Sequence, residues 1–150
     1  MKLLRLTALC FLLAAPVAWA SDAVFSQVGK VIAFGDLHGD YEQYEMLLVE
    51  NGLVDEELKW IAGDVHFVQL GDVTDRGPDS LKIIRHLMKL EKQARKAGGR
   101  VHVLIGNHEA MNVQADLRYV HPGEYSVLAD KKSPKLQARY VDAEIGRAHV

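Results

Sequence analysis

Three apolar runs in this chain each stop at a glycine followed by a polar side chain. Val31-Ile32-Ala33-Phe34 leads into Gly35-Asp36, Phe67-Val68-Gln69-Leu70 into Gly71-Asp72, and Val101 to Ile105 into Gly106-Asn107. Helical patterns separate them. Tyr41 to Leu53 reads as a helix closed by Asn51-Gly52. Pro78-Asp79-Ser80 opens a second helix, with Leu81, Ile84, Leu87 and Met88 as its apolar stripe and Gly98-Gly99 as its stop. Strand alternating with helix predicts an α/β fold of parallel strands joined by crossover helices. Such strands place their carboxyl ends along one sheet edge, where α/β proteins bind ligands. Asp36, Asp72 and Asn107 are therefore expected to converge. Trp60-Ile61 is expected to add a short strand or turn, Leu117 to Val120 a strand or extended loop, and Lys131 to Pro134 a solvated loop.

With 150 residues, 49% hydrophobic and 25% charged, the chain has room for one globular domain. A net charge of -2 and the lack of a basic stripe argue against nucleic acid as a partner. The first twenty residues read as a secretory signal peptide: Lys2 and Arg5, an apolar core from Leu6 to Ala15, and Ala18-Trp19-Ala20 as a cleavage site before Ser21. The apolar core is shorter than the roughly 20 residues a membrane-spanning helix needs, so no stable anchor is expected after cleavage. Export to the periplasm or beyond is the expected location. Cys10 lies inside this leader and is the one cysteine of the chain. The mature protein then has no disulfide framework, thiol nucleophile or thiolate metal site. Residues 21–144 are expected to form the domain. Ile145 to Val150 read as the in-frame translation of a sequencing adapter, hence as an artefactual tail, although an ordinary helix terminus would look similar.

The polar ends of the three runs carry the chemistry. Gly35-Asp36-Leu37-His38-Gly39 offers a carboxylate and an imidazole two residues apart, a pair suited to manganese, iron or zinc rather than calcium. In Gly71-Asp72-Val73-Thr74-Asp75-Arg76-Gly77, Asp72 can share its carboxylate between two metals, Arg76 can fork onto phosphate oxygens, and Asp75 can orient an imidazole. An exposed Asp-Arg turn pair is the plainer reading of that stretch. In Gly106-Asn107-His108-Glu109, Asn107 offers a neutral oxygen to a second metal, His108 can give a proton to a leaving group, and Glu109 supports the loop. Two metals about 3.5–4 Å apart clamp the attacking and leaving oxygens of an in-line displacement. A zinc-protease helix is excluded because Asn112 stands where the second histidine would have to be. His66, His86 and His102 are read as structural or solvent-facing, and His121 as part of a Pro-Gly loop.

As a set, GDLHG, GDVTDRG and GNHE resemble the calcineurin-like metallophosphoesterases, in particular their phosphoprotein-phosphatase branch. VQLGDVTDRGPDS and GNHEAMNVQADLRYV are similar to the bacterial Shewanella-like protein phosphatases, and the resemblance runs from about Val31 to Val120. It implies two packed mixed β-sheets flanked by helices, of which this chain would supply the N-terminal half. It further implies two divalent ions, with Asp36 and His38 on the first, Asp72 bridging and Asn107 on the second, and with additional histidine ligands from the family's second half. His108 would be the general acid, oriented by Asp75. Arg76, Asn107 and Arg118 would face the substrate, the last through its match to the LRYV segment. The expected function is hydrolysis of phosphomonoesters, with a serine/threonine or tyrosine phosphoprotein as substrate and manganese as the leading metal. A periplasmic nucleotide or dinucleoside-polyphosphate hydrolase is the enzymatic alternative. A catalytically silent metal- or phosphate-binding fragment is the alternative of another class.

Overall fold

The computed structural model describes residues 24–128. The leader, the loop from Lys131 to Pro134 and the tail from Ile145 lie outside the described residues. Three strands, β1 (Val31–Phe34), β2 (His66–Gln69) and β3 (Arg100–Val103), form one parallel sheet in the order β1-β2-β3. Val31 pairs with His66 and His66 with Arg100. The crossovers are α1 (Tyr41–Glu50) and α2 (Ser80–Lys96), and two short helices follow, α3 (Asn107–Val113) and α4 (Pro122–Leu128).

The first helix starts where the Asp40 side chain accepts a hydrogen bond from the Gln43 N–H at 3.0 Å. It ends earlier than its apolar pattern suggests. Asn51 already caps it by donating through its side chain to the Leu47 carbonyl, and Gly52 takes a left-handed φ of 67° that the helix cannot continue through. Leu53 and Val54 are buried beyond that stop, and Val54 bridges to Trp60, which settles the Trp60-Ile61 segment as a single β-bridge.

In α2 the buried face is Ile83, Leu87, Leu90 and Ala94, with Ser80 and His86 beside it. The stripe expected from the sequence is thus turned by about one residue. Met88 is 56% exposed, while Leu81 and Ile84 sit at the margin. The reason is the sheet beneath: Phe34, Phe67 and Val101 project from alternate positions of the three strands toward α1 and α2, and the helix presents whichever residues meet them. His86 accepts from the Tyr44 hydroxyl at 2.9 Å and donates to the Leu58 carbonyl at 3.0 Å, joining α1, α2 and the loop between α1 and β2. Burial keeps its pKa below the ordinary histidine value, despite the Leu58 hydrogen bond.

Both helices lie on the same side of the sheet, as right-handed crossovers between neighbouring strands require. The other side carries Val31, 58% exposed, and the rings of His66 and His102, whose nitrogens lie 3.1 Å apart. Phe25 meets both imidazoles edge-on with centroids 5.0 Å away. No second sheet occurs among the described residues. Leu117 to Val120 is loop and turn rather than strand.

Candidate metal and phosphate site

The three strand ends approach closely enough for backbone to meet backbone. A methyl group added to Gly39 would come within 2.5 Å of the Gly77 carbonyl oxygen, and one added to Gly77 within 2.5 Å of the His38 carbonyl oxygen. Gly71, at φ 105°, leaves the same lack of room against the Gly106 nitrogen. These contacts are why the motifs need glycine there. Leu37 and His38 both donate their N–H groups to the Asp72 carbonyl, at 3.0 and 2.9 Å, and Gly77 donates to the His38 carbonyl at 2.8 Å.

Among the described residues, seven non-glycine residues have positive φ, and four of them are His38, Asp72, Asp75 and Arg76. Each left-handed residue costs on the order of 1 kcal/mol or more. Their concentration on two adjacent loops marks this sheet edge as the place where the fold holds side chains in imposed directions.

His38 donates from Nδ1 to the Thr74 carbonyl at 3.0 Å, which fixes the tautomer and leaves Nε2 with a lone pair. That Nε2 is buried without a hydrogen-bond partner, 3.4 Å from the Asp36 carboxylate. A cation between these two atoms, whether a proton on the imidazole or a metal ion, satisfies both. His38, Asp72 and His108 each bring a ligand atom to within 4.8 Å of the others. The donor set of imidazole and carboxylate, with the histidine oriented by a backbone carbonyl, fits a divalent transition metal.

His108 is buried, and its Nδ1–H donates to Asp75 at 2.7 Å, leaving Nε2 as its free nitrogen. Its ring meets that of His38 edge-on at 4.7 Å, and its backbone N–H donates to the Asp72 carboxylate at 2.8 Å. Asp75 is itself held by the Asn112 amide at 2.9 Å. Arg76 is exposed and lines a cleft with Asp36 and His38.

Six expected site residues therefore gather here: Asp36, His38, Asp72, Asp75, Arg76 and His108. Asn107 begins α3 at the exposed rim. Arg118 is exposed, and its guanidinium makes a two-pronged pair with Asp116 at 2.8 and 2.7 Å, which raises its pKa further. Its fork faces that carboxylate.

Glu109 does more than sequence reading asked of it. Its carboxylate accepts four hydrogen bonds, from the N–H groups of Asp72, Thr74 and Gly106 and from the Thr74 hydroxyl, all between 2.8 and 2.9 Å. Burial alone would push its pKa up. The bonds to Thr74, Gly106 and Asp72 outweigh that and hold it below the usual glutamate value. Its place three residues after Gly106, the N-cap of α3, was a readable sign of a reach-back contact. Asn112 and Tyr119 were missed. The Tyr119 ring meets His108 edge-on at 5.2 Å, and its carbonyl accepts from the Arg76 N–H at 2.8 Å. Both lie inside the GNHEAMNVQADLRYV stretch, but neither was given a role there.

Loops at the carboxyl ends of parallel strands bring together groups that could hold a metal ion, and the comparisons with known proteins name the class to which such a chain belongs. Residues 29–147 match the calcineurin-like phosphoesterase family, and the chain belongs to it. It is similar to Shewanella-like protein phosphatase 2 of Arabidopsis thaliana, with 44% identity over 64% of this chain and 25% of that protein. A symmetrical bis(5'-nucleosyl)-tetraphosphatase of Buchnera aphidicola is 37% identical over 53% of this chain and 24% of its own length. Among solved structures, the cold-active protein-tyrosine phosphatase of a psychrophilic Shewanella species superposes with a TM-score of 0.63 and 41% identity, over 67% of this chain and 30% of that one. The chain spans about a quarter to a third of the length of the curated relatives it matches.

Proposed function

We propose that this chain carries part of the active centre of an exported phosphomonoesterase that uses two divalent ions and acts on phosphoproteins. The observation that carries the reading is the buried, unpartnered Nε2 of His38 facing Asp36, in a cluster with Asp72 and His108. Asp36, His38 and Asp72 would hold one ion, and Asp72 with Asn107 would begin the second site. Bound there, divalent ions would neutralise the phosphoryl oxygens and polarise the phosphorus. The chain's own residues do the rest. Asp75 holds the Nδ1 proton of His108, so that Nε2 is presented to the leaving oxygen and delivers the proton it needs. Arg76, on the rim of the cleft, takes phosphate oxygens. Manganese is the ion we favour, with iron or zinc also suited to these donors.

Similarity to a Shewanella-like protein phosphatase and to a protein-tyrosine phosphatase supports the phosphoprotein reading. The tetraphosphatase relative supports a second one, a nucleotide or dinucleoside-polyphosphate hydrolase on the same scaffold. The full-length protein with manganese is expected to hydrolyse a phosphopeptide at least about tenfold faster, in kcat/KM, than a dinucleoside tetraphosphate, and to lose both activities to a chelator. The reverse preference would sink the phosphoprotein reading. One ion bound per chain, with no turnover of either substrate, would leave a silent binding module.

A further inference from the structure

The leaving group of a phosphomonoester must lie beside the residue that protonates it, and on the reading above that residue is His108. The side chain packed on His108 at the protein surface is Tyr119. Its ring stands edge-on to the imidazole at 5.2 Å, yet 46% of the residue is exposed. Two further contacts fix it. Its carbonyl accepts the Arg76 N–H at 2.8 Å, and the Arg118 guanidinium, steered by Asp116, lies 5.7 Å from the ring centroid. A half-exposed aromatic ring, braced from two sides and bordering both the proton donor and the backbone of the phosphate-binding arginine, is more than core packing.

We infer that Tyr119 is the platform on which the leaving group lies, and that it selects aryl over alkyl phosphomonoesters. This rests on the phosphomonoesterase reading. An aromatic leaving group would meet the exposed part of the Tyr119 ring while its ester oxygen faces His108, whereas a seryl or threonyl leaving group has no ring to offer. Aromatic pairs contribute about 0.5–1.5 kcal/mol beyond area burial, equivalent to roughly two- to tenfold in kcat/KM.

The rival account makes Tyr119 a mere support for His108, and the two accounts predict opposite outcomes. Weakening the proton donor hurts poor, alkyl leaving groups most, because they need the proton most. Removing a platform hurts aryl substrates most. The experiment compares a phosphotyrosyl and a phosphoseryl peptide of identical flanking sequence on the full-length enzyme and its Tyr119→Ala, Tyr119→Leu and Tyr119→Phe variants. Tyr119→Ala and Tyr119→Leu are expected to lose about two- to tenfold more kcat/KM on phosphotyrosine than on phosphoserine, and Tyr119→Phe to keep the aryl-to-alkyl ratio. Inhibition reads the same ratio without turnover: phenylphosphonate should lose affinity relative to methylphosphonate in the alanine variant. Equal losses on both peptides, or a larger loss on phosphoserine, would overturn the inference while leaving the phosphomonoesterase reading intact. Failure of the unaltered enzyme to hydrolyse either peptide would overturn both.

Discussion

His108 is held at two points by carboxylates with different tasks. The side chain of Asp72 accepts its backbone N–H and fixes where the residue sits, while Asp75 accepts Nδ1–H and fixes which nitrogen faces outward. A proton donor placed in this way matters most when the leaving oxygen is a poor one. His108→Ala in the full-length enzyme is therefore expected to lower kcat on an alkyl phosphate by about 10²-fold or more, and on p-nitrophenyl phosphate by less than about tenfold. Equal losses on the two substrates would remove the general-acid assignment. At this scale the placement of Asp36, Asp72 and Asn107 at one sheet edge was legible because each follows a strand-like run closely, so chain position alone fixes which edge they reach. Tyr119 and Asn112 were not. Their contacts with His108, Thr74 and Asp75 join segments that no periodicity relates.

Between elements, the Glu109 carboxylate is the joint. It takes N–H groups from the loop after β2 and from the start of α3, so two loops share one anion. A glutamine there would turn an amide NH2 toward donors and leave buried N–H groups unsatisfied. Glu109→Gln is expected to cost about 3 kcal/mol of stability in chemical denaturation, with metal affinity falling in parallel. Because the folded-state pKa is lowered, the charged clamp contributes fully above the usual glutamate value and is lost as pH falls through the depressed one. The variant should therefore show a flatter acid limb, and an unchanged limb would argue against the clamp. The existence and order of the first five elements could be read from the sequence, because runs of apolar residues bounded by glycine leave few options. Their limits and facing could not. The facing of α2 was set by Phe34, Phe67 and Val101 beneath it, and α3 begins at a glycine whose capping partner lies inside the helix.

The whole described unit is a half-covered sheet. Helices protect one side, while Val31, Phe25 and the mutually tilted rings of His66 and His102 lie on the other, and Leu70, Leu104 and Ile105 stand exposed beyond the strand ends. These are large apolar side chains left exposed among the described residues. The 150-residue chain is expected to bind anilinonaphthalene sulfonate strongly, and a chain extended to the length of its relatives to bind much less. Equal dye binding by both would mean that this side is a true surface. The two-sheet architecture implied by resemblance could not be checked from periodicity, because a sheet side shows its partner only when the partner is there.

The clamp also sets an order in time. Asp72 draws its backbone geometry from Glu109, a residue 37 positions further along the chain. A ribosome that has released the loop after β2 has not yet supplied the anion that accepts its N–H groups. The loop after β2 therefore takes its full set of backbone hydrogen bonds only once the third strand and the helix behind it have been made.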